Sequence, residues 1–385
     1  MVIGFLICFF NISILYFLGQ FGFIFSIIAL LIFMFNFFFG DIKHKVLKYE
    51  FFCILFLFVN FLFSIIVYFN SDQDVRPLFF YNMMGLLSFL FLINIKKVDS
   101  IFKVISFVFL FEVFVVFLQF LNLNFGYGLE LKNKIDLFAP EGTLLNSNNS
   151  SVFIFSMCLV LTSYFSYKKK NIIVLMILFL TFFSVFVTMS RTILVLYCLY
   201  LIFFIIDNIK FSIKRISYIF GIFSFFSLFF MNIKDEWLSF FERSINKMFT
   251  LSSMNLDDSG SARLISLERW FDSLLYLGFG TLKDGSYGAY YESFDLPLLS
   301  FNPHVYIVEI SFLYGYMGIL FAFSLYLLVF YSIFSTKINL ILKILIFSFF
   351  IIMQAVPSSI LHNYMFFIIF LSFYYLRNIQ VESKV

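Results

Sequence analysis

Apolar runs of roughly 18 residues or more recur along the chain, each long enough to cross the ~30 Å hydrocarbon core of a bilayer as a helix. The pattern predicts about twelve spans, near 2–18, 21–39, 51–69, 78–95, 104–121, 150–167, 172–189, 192–206, 216–231, 305–333, 341–356 and 360–376. The breaks between them are short and polar. Gly19 and Gln20 divide the first pair, and Lys168, Lys169 and Lys170 divide the sixth from the seventh. Ser190 and Arg191 mark a very tight turn between the seventh and the eighth. The stretch 232–303 departs from this rhythm. It is mostly polar, and it ends at Asn302, Pro303 and His304, where the next apolar helix begins.

Composition agrees with the pattern. The chain is 62% apolar and 12% charged, with a mean hydropathy of +1.01, values that exclude a soluble globular domain. The expected fold class is an all-α polytopic membrane protein: one integral membrane domain over 1–385, with a large external loop containing short helices at 232–303. The 67 phenylalanines, beside many Ile, Asn, Lys and Tyr, read as coding bias of an AT-rich genome more than as aromatic function. The first apolar stretch runs directly into another and carries no small-residue cleavage site, so it reads as a span and not as a removed signal. Cys8, Cys53, Cys158 and Cys198 all fall inside apolar runs, which argues against a disulfide framework or a paired-thiol metal site.

The net charge of +4 points to topology and not to nucleic acid. The loops around 41–50, 96–103, 168–170, 207–215, 335–343 and 377–385 gather most of the Lys and Arg. By the positive-inside rule they face the cytoplasm, with both termini. The segments 70–77, 122–149, 190–191, 232–303 and 357–360 then face outward. No repeat is visible at residue level, and a large loop in the second half alone counts against the two matched halves usual in carriers.

Four groups of residues are candidates for chemistry. Arg191, at the outer end of one span and the start of the next, reads either as a snorkelling turn residue or as an anchor for an anionic group at the outer leaflet. A guanidinium suits phosphate because its planar fork donates two parallel hydrogen bonds. The external loop carries Arg243, Arg263 and Arg269. Within it, Ser261 is an expected N-cap, and Leu264, Leu267, Phe271 and Leu274/Leu275 share one face at helical spacing. An amphipathic helix resting on the membrane or on the bundle follows, with Arg263, Arg269 and Asp272 off the apolar stripe; a surface helix with solvated charges is the plainer alternative. Third, Pro303 is a natural first helical residue, placing His304 at a helix N-terminus at the water–membrane boundary, as an interfacial residue or as a base or hydrogen-bond donor. Glu309 in the same span and Glu112 in the fifth are intramembrane carboxylates that need a partner or a wet cavity, and either might neutralise an arginine. Fourth, the loop 141–150, with Asn146 and Asn148, is rich in side chains that cap helices and bind hydroxyls.

In order along the chain, these features resemble the O-antigen polymerase and ligase superfamily of bacterial membrane glycosyltransferases. The resemblance rests on the loop Gly142, Asn146, Ser147 and Asn148 before a span, and on the Ser190, Arg191, Thr192 turn. It continues through the external loop with Arg263, Trp270, Gly278 and Gly280, the Arg269-to-Gly280 spacing, His304 opening the next span, and Gly315 and Gly318 after it. It covers about 140–320 of the sequence. It implies a GT-C-like fold in the bacterial inner membrane and an undecaprenyl-diphosphate-linked oligosaccharide as substrate. It also implies transfer at the periplasmic face with inversion and without a metal or other cofactor. Besides the lipid bilayer, a chain-length regulator protein is a partner that it allows. In that picture His304, Arg263 and Arg191 are catalytic. Arg269, Arg243, Asn146, Asn148, Trp270 and Glu309 bind substrate.

Three functions remain open at this stage. One is a polymerase joining lipid-linked repeat units into an O-antigen or capsule polysaccharide. Another is a ligase moving finished glycan to lipid A core or to protein. The last is a flippase or other carrier for lipid-linked oligosaccharide, which needs basic residues facing a central cavity and two pseudo-symmetric halves.

Overall fold

A computed structural model describes residues 98–120, 140, 142–144, 147–188, 190–208, 267–268, 270–272, 274–276, 305–334 and 340–355, together with scattered positions between 28 and 86. Its continuous helices are α1 (Val98–Phe120), α2 (Ser147–Tyr167), α3 (Asn171–Val187), α4 (Arg191–Asn208), α5 (Tyr306–Tyr314), α6 (Tyr316–Phe334) and α7 (Leu340–Ala355). Among the described residues there is no strand. Two helices, Phe102–Phe120 within α1 and Ser147–Tyr167, are long and apolar enough to cross a membrane. The expected spans at 2–18, 21–39, 51–69, 78–95, 216–231 and 360–376, and most of the loop 232–303, lie wholly or largely outside the described residues.

The apolar runs at 104–121, 150–167, 172–189, 192–206 and 341–356 reappear as α1, α2, α3, α4 and α7 with ends shifted by a few residues. Helix α2 is central. Every residue from Asn149 to Tyr164 is buried, and α1, α3, α4 and α7 pack around it. Its Ser and Thr side chains return hydrogen bonds to the preceding turn, as in Thr162 Oγ1 to the Cys158 carbonyl (2.7 Å) and Ser163 Oγ to the Leu159 carbonyl (2.8 Å). These hydroxyls are thus satisfied within the helix. Hydroxyl pairs then tie the helices together: Thr162 with Tyr200 of α4 (2.5 Å), and Tyr197 of α4 donating to the Leu178 carbonyl of α3 (2.5 Å). Phe102 of α1 stacks on Tyr164 at 4.0 Å between ring centres.

The outward faces are apolar. Phe107, Leu110, Phe114 and Phe117 form an exposed row on α1, and Leu320, Phe323, Leu327, Phe330 and Phe334 form one on α6. Rows of this kind at helical spacing suit hydrocarbon around the bundle and would be costly in water.

Helix α2 ends at the lysine triplet in a left-handed turn. Lys170 N–H bonds to the Phe165 carbonyl (2.9 Å) and Lys169 N–H to the Ser166 carbonyl (3.0 Å), with Lys169 at φ 57. Glycine usually fills this position because a side chain there costs roughly 1–2 kcal/mol. At the same end the Tyr164 hydroxyl donates to Asp99 Oδ1 (2.8 Å), and Lys168 lies 3.5 Å from it. The hydrogen bond, helped by the Lys168 charge, holds the Asp99 carboxyl below its usual range against a smaller desolvation effect.

One expectation is overturned. The apolar run 305–333 is not a single span: it breaks at Gly315 (φ 62, ψ −142) into α5 and α6. The chain doubles back, and Gly318 lies against the backbone of Ile310 and Ser311, where a Cβ would overlap the Ile310 carbonyl oxygen. Two residues in a continuous helix eight positions apart would be separated by about 12 Å. The positive φ at Gly315 permits the reversal and the bare Cα of Gly318 permits the contact. Tyr326, bonded to Gln354 of α7 (2.8 Å), also reaches the Ile307 backbone, so α5 lies along the first turns of α6.

Candidate functional site

Where the C-terminal ends of α1 and α3 meet the N-terminal ends of α2 and α4, the polar contacts are built around a buried carboxylate. Glu112 sits about 20 Å along α1 from Asp99 and is 1% exposed. Its Oε1 accepts the Thr143 N–H (3.0 Å) and the Ser150 hydroxyl (2.9 Å), and its Oε2 accepts the Thr143 hydroxyl (2.6 Å). The partners are neutral donors, not an arginine, which corrects one of the two expectations for this residue. They satisfy a polar group that would otherwise be expensive in the interior.

Two helical turns further along α1, about 10 Å, Gln119 clamps the same segment. Its Oε1 accepts the Gly142 N–H (2.8 Å) and its Nε2 donates to the Gly142 carbonyl (3.1 Å). Gly142 has φ +60, and a Cβ there would overlap Glu112 Oε1 and Ser150 Oγ. The short 3-10 turn Gly142–Leu144 therefore descends along α1 before α2 begins. Irregular backbone at such depth is tolerated where it is buried against protein or lines a wet cavity.

From this knot the hydrogen bonds continue toward Arg191. Ser151, next to Ser150, shares a hydrogen bond with Thr188 of 2.6 Å. Thr188 is the C-cap of α3. Ser190 is buried and its carbonyl accepts the Leu194 N–H (2.9 Å), which starts α4 at Arg191. Asn148, one turn before Ser151, and Arg191, one turn's length after Thr188, are thereby brought to the same end of the bundle. Asn148 is half-buried and Arg191 is exposed. Helix α3 has 17 residues, about 25 Å, and its C-terminal end leads into the turn that carries Arg191. Two helix N-termini, those of α2 and α4, flank the Ser151–Thr188 bond, and helix N-termini favour anions.

A separate polar contact ties the segment around Trp270 to α5. Trp270 is 6% exposed, and its Nε1–H donates to Ser311 Oγ (2.6 Å), which itself donates to the Val308 carbonyl (2.9 Å). Leu267 and Leu274 pack against the same core as Trp270. Phe271 and Leu275 point outward, 62% and 84% exposed. Leu267, Trp270 and Leu274 thus face the bundle, while Phe271 and Leu275 of the expected stripe face away from it; Leu264 lies outside the described residues. Helix α7 packs on α2 and α4 and also on α5.

Trp270, expected among the substrate-binding residues, is buried and bonded to α5. Val305 and Tyr306, which follow His304, are buried at 6% and 2%. Glu309 falls on α5, with its side chain outside the described set. His304, Arg263, Arg269, Arg243 and Asn146 lie outside the described residues. What sequence reasoning missed was the role of Glu112, Gln119, Thr143, Ser150 and Thr188 in setting the level of Asn148 and Arg191. The available signal was an isolated carboxylate in an apolar run, followed by a Gly-Thr pair. No family model matches the chain, and no curated protein matches it.

Proposed function

We propose that this protein is a bacterial inner-membrane glycosyltransferase of GT-C-like fold with about twelve spans, and that it polymerises repeat units carried on undecaprenyl diphosphate at the periplasmic face. The observation that carries the reading is the placement of Arg191. It heads α4 at the same end of the bundle as the N-terminus of α2, next to the polar contact between Ser151 and Thr188. A lipid diphosphate needs cationic and N–H donors of this kind where its headgroup meets the protein.

In this reading an acceptor hydroxyl of one lipid-linked unit attacks the anomeric carbon of another. The new glycosidic C–O bond forms as the bond to the diphosphate oxygen breaks, with inversion. The hydroxyl proton passes to a base, for which His304 is the candidate, and the electron pair stays on the leaving undecaprenyl diphosphate. Arg191, with Arg263 and Arg269 from the external loop, stabilises the charge that grows there, the kind of term that dominates when the leaving group is anionic. Arg243, Asn146, Asn148 and Glu309 are the remaining candidates for glycan contacts. Trp270 acts indirectly by holding the loop on α5. Orientation of two bound lipids supplies most of what remains.

A second reading, a carrier for lipid-linked glycan, is favoured by the broken helix at Gly315, since discontinuous helices commonly form substrate sites in carriers. Deletion of the gene in its host separates the two. A transferase deletion leaves single repeat units on the outer face, whereas a carrier deletion leaves lipid-linked units on the cytoplasmic face and none outside. A ligase deletion leaves long glycan that never reaches its final acceptor.

A further inference from the structure

The external segment carries an apolar flank that the docking described above does not use. Over 267–272, at about 100° per residue, Leu267 and Trp270 cover one sector of a helix wheel, Phe271 follows on one side of it, and Glu268 and Asp272 lie beyond. In the 3-10 turn Leu274–Tyr276 that follows, Leu274 packs on the core and Leu275 is exposed. Phe271 and Leu275 are thus apolar and exposed beside the bundle-facing residues, and Glu268 and Asp272 are acidic and exposed.

We infer that residues 267–276 are a two-faced interfacial segment, with Leu267, Trp270 and Leu274 on the bundle and Phe271 and Leu275 in the lipid bilayer. The occupant follows from continuity. Trp270 bonds to Ser311, and the Ser311 backbone lies against Gly318 at the start of α6. Within a turn of that contact begins the outward apolar row of α6, with Tyr316 45%, Leu320 58% and Phe323 53% exposed. The loop's apolar flank adjoins a surface whose composition already requires hydrocarbon around it. Placed there, Phe271 and Leu275 sink into the headgroup–acyl boundary while Glu268 and Asp272 stay in water, the division expected of an interfacial helix. The loop is then held at two points, by the Trp270 hydrogen bond and by lipid. This inference rests on the packing of the segment and stands apart from the glycosyltransferase reading.

The test is site-directed spin labelling of the full chain in phosphatidylethanolamine/phosphatidylglycerol vesicles. Single cysteines replace Phe271, Leu275, Glu268 and Asp272 in a chain whose Cys8, Cys53, Cys158 and Cys198 are changed to Ala. Labels at 271 and 275 should collide several-fold more with oxygen than with a water-soluble nickel chelate, and labels at 268 and 272 should show the reverse. Nickel accessibility at 271 and 275 equal to that at 268 would mean a water-facing flank and overturn the inference. Exclusion of both relaxants at 271 and 275 would mean a protein cover, such as a second copy of the chain, and would also overturn it. If the cysteine-free chain does not fold, Phe271→Trp and Leu275→Trp in a Trp237→Phe background give the same answer. Brominated lipid should quench both beyond the Trp270 background, and quenching no greater than that background would refute lipid contact.

Discussion

The carboxylate of Glu112 and the backbone N–H of Thr143 are joined across 3.0 Å in a fully enclosed setting. With the Gln119–Gly142 pair, this bond holds the turn Gly142–Leu144 against α1. It also brings Ser150 and Ser151 to the level at which Thr188 and then Arg191 follow.

Replacing Glu112 by Ala is expected to leave the Thr143 N–H and two hydroxyls without their acceptor, at a cost of about 1–3 kcal/mol for such a buried group. Glu112→Gln keeps the shape, and with its carbonyl where Oε1 stands its amide can donate to Thr143 Oγ1, a hydroxyl that accepts as well as donates, so it should lose much less. Thermal unfolding of the purified protein in detergent, followed by size-exclusion recovery, reads both. A melting temperature unchanged from the parent in Glu112→Ala would show that the turn is held by other contacts.

Trp270 is expected to matter as an anchor more than as a binding surface. Trp270→Phe keeps most of the packing and loses only the bond to Ser311, whose hydroxyl still has the Val308 carbonyl; about 1 kcal/mol is at stake. Trp270→Ala removes a buried aromatic and should cost about 3–5 kcal/mol. Limited proteolysis of the outward loop checks the order: cleavage should rise slightly for Phe and strongly for Ala. Equal cleavage in all three proteins would mean that the indole does not hold the loop.

Asp99 provides the pH-dependent contact. Its carboxyl is held below the ordinary value of about 3.9 by the Tyr164 hydroxyl. The contribution is therefore complete above that value and disappears as pH falls through the lower, folded-state value. Because Asp99 is 64% exposed, solvent screens the effect and it is small. Carbon-13 NMR of labelled Asp should show the Asp99 midpoint rising in Tyr164→Phe. A midpoint that stays put would remove the hydroxyl as its cause.

Helices α1 to α4 and α7 were legible because a bilayer-length apolar run bounded by Lys168 to Lys170, or by Ser190 and Arg191, has few alternatives to a spanning helix. The reversal at Gly315 was not legible. Both halves of 305–333 are apolar, so hydropathy carries no mark of the break; the signal was two glycines three residues apart, one for the turn and one for the contact. The inward turn of Trp270 was not legible for a related reason. Leu267, Trp270, Phe271, Leu274 and Leu275 are all apolar, and only the position of Ser311 selects Trp270 as the residue that turns inward. Glu112 stood out as costly, but its partners are 31 and 38 positions away in sequence, beyond what local pattern records.

The account depends most on Arg191 acting on a lipid-linked diphosphate. The direct measurement is product length from the purified chain in proteoliposomes supplied with a synthetic undecaprenyl-diphosphate-linked repeat unit from the host polysaccharide. The parent should make multimers. Arg191→Ala should stop at the single unit while remaining folded, and Arg191→Lys should recover only part of the activity, because an ammonium cannot give the two-pronged contact. Multimers of parental length and rate from Arg191→Ala would contradict the account.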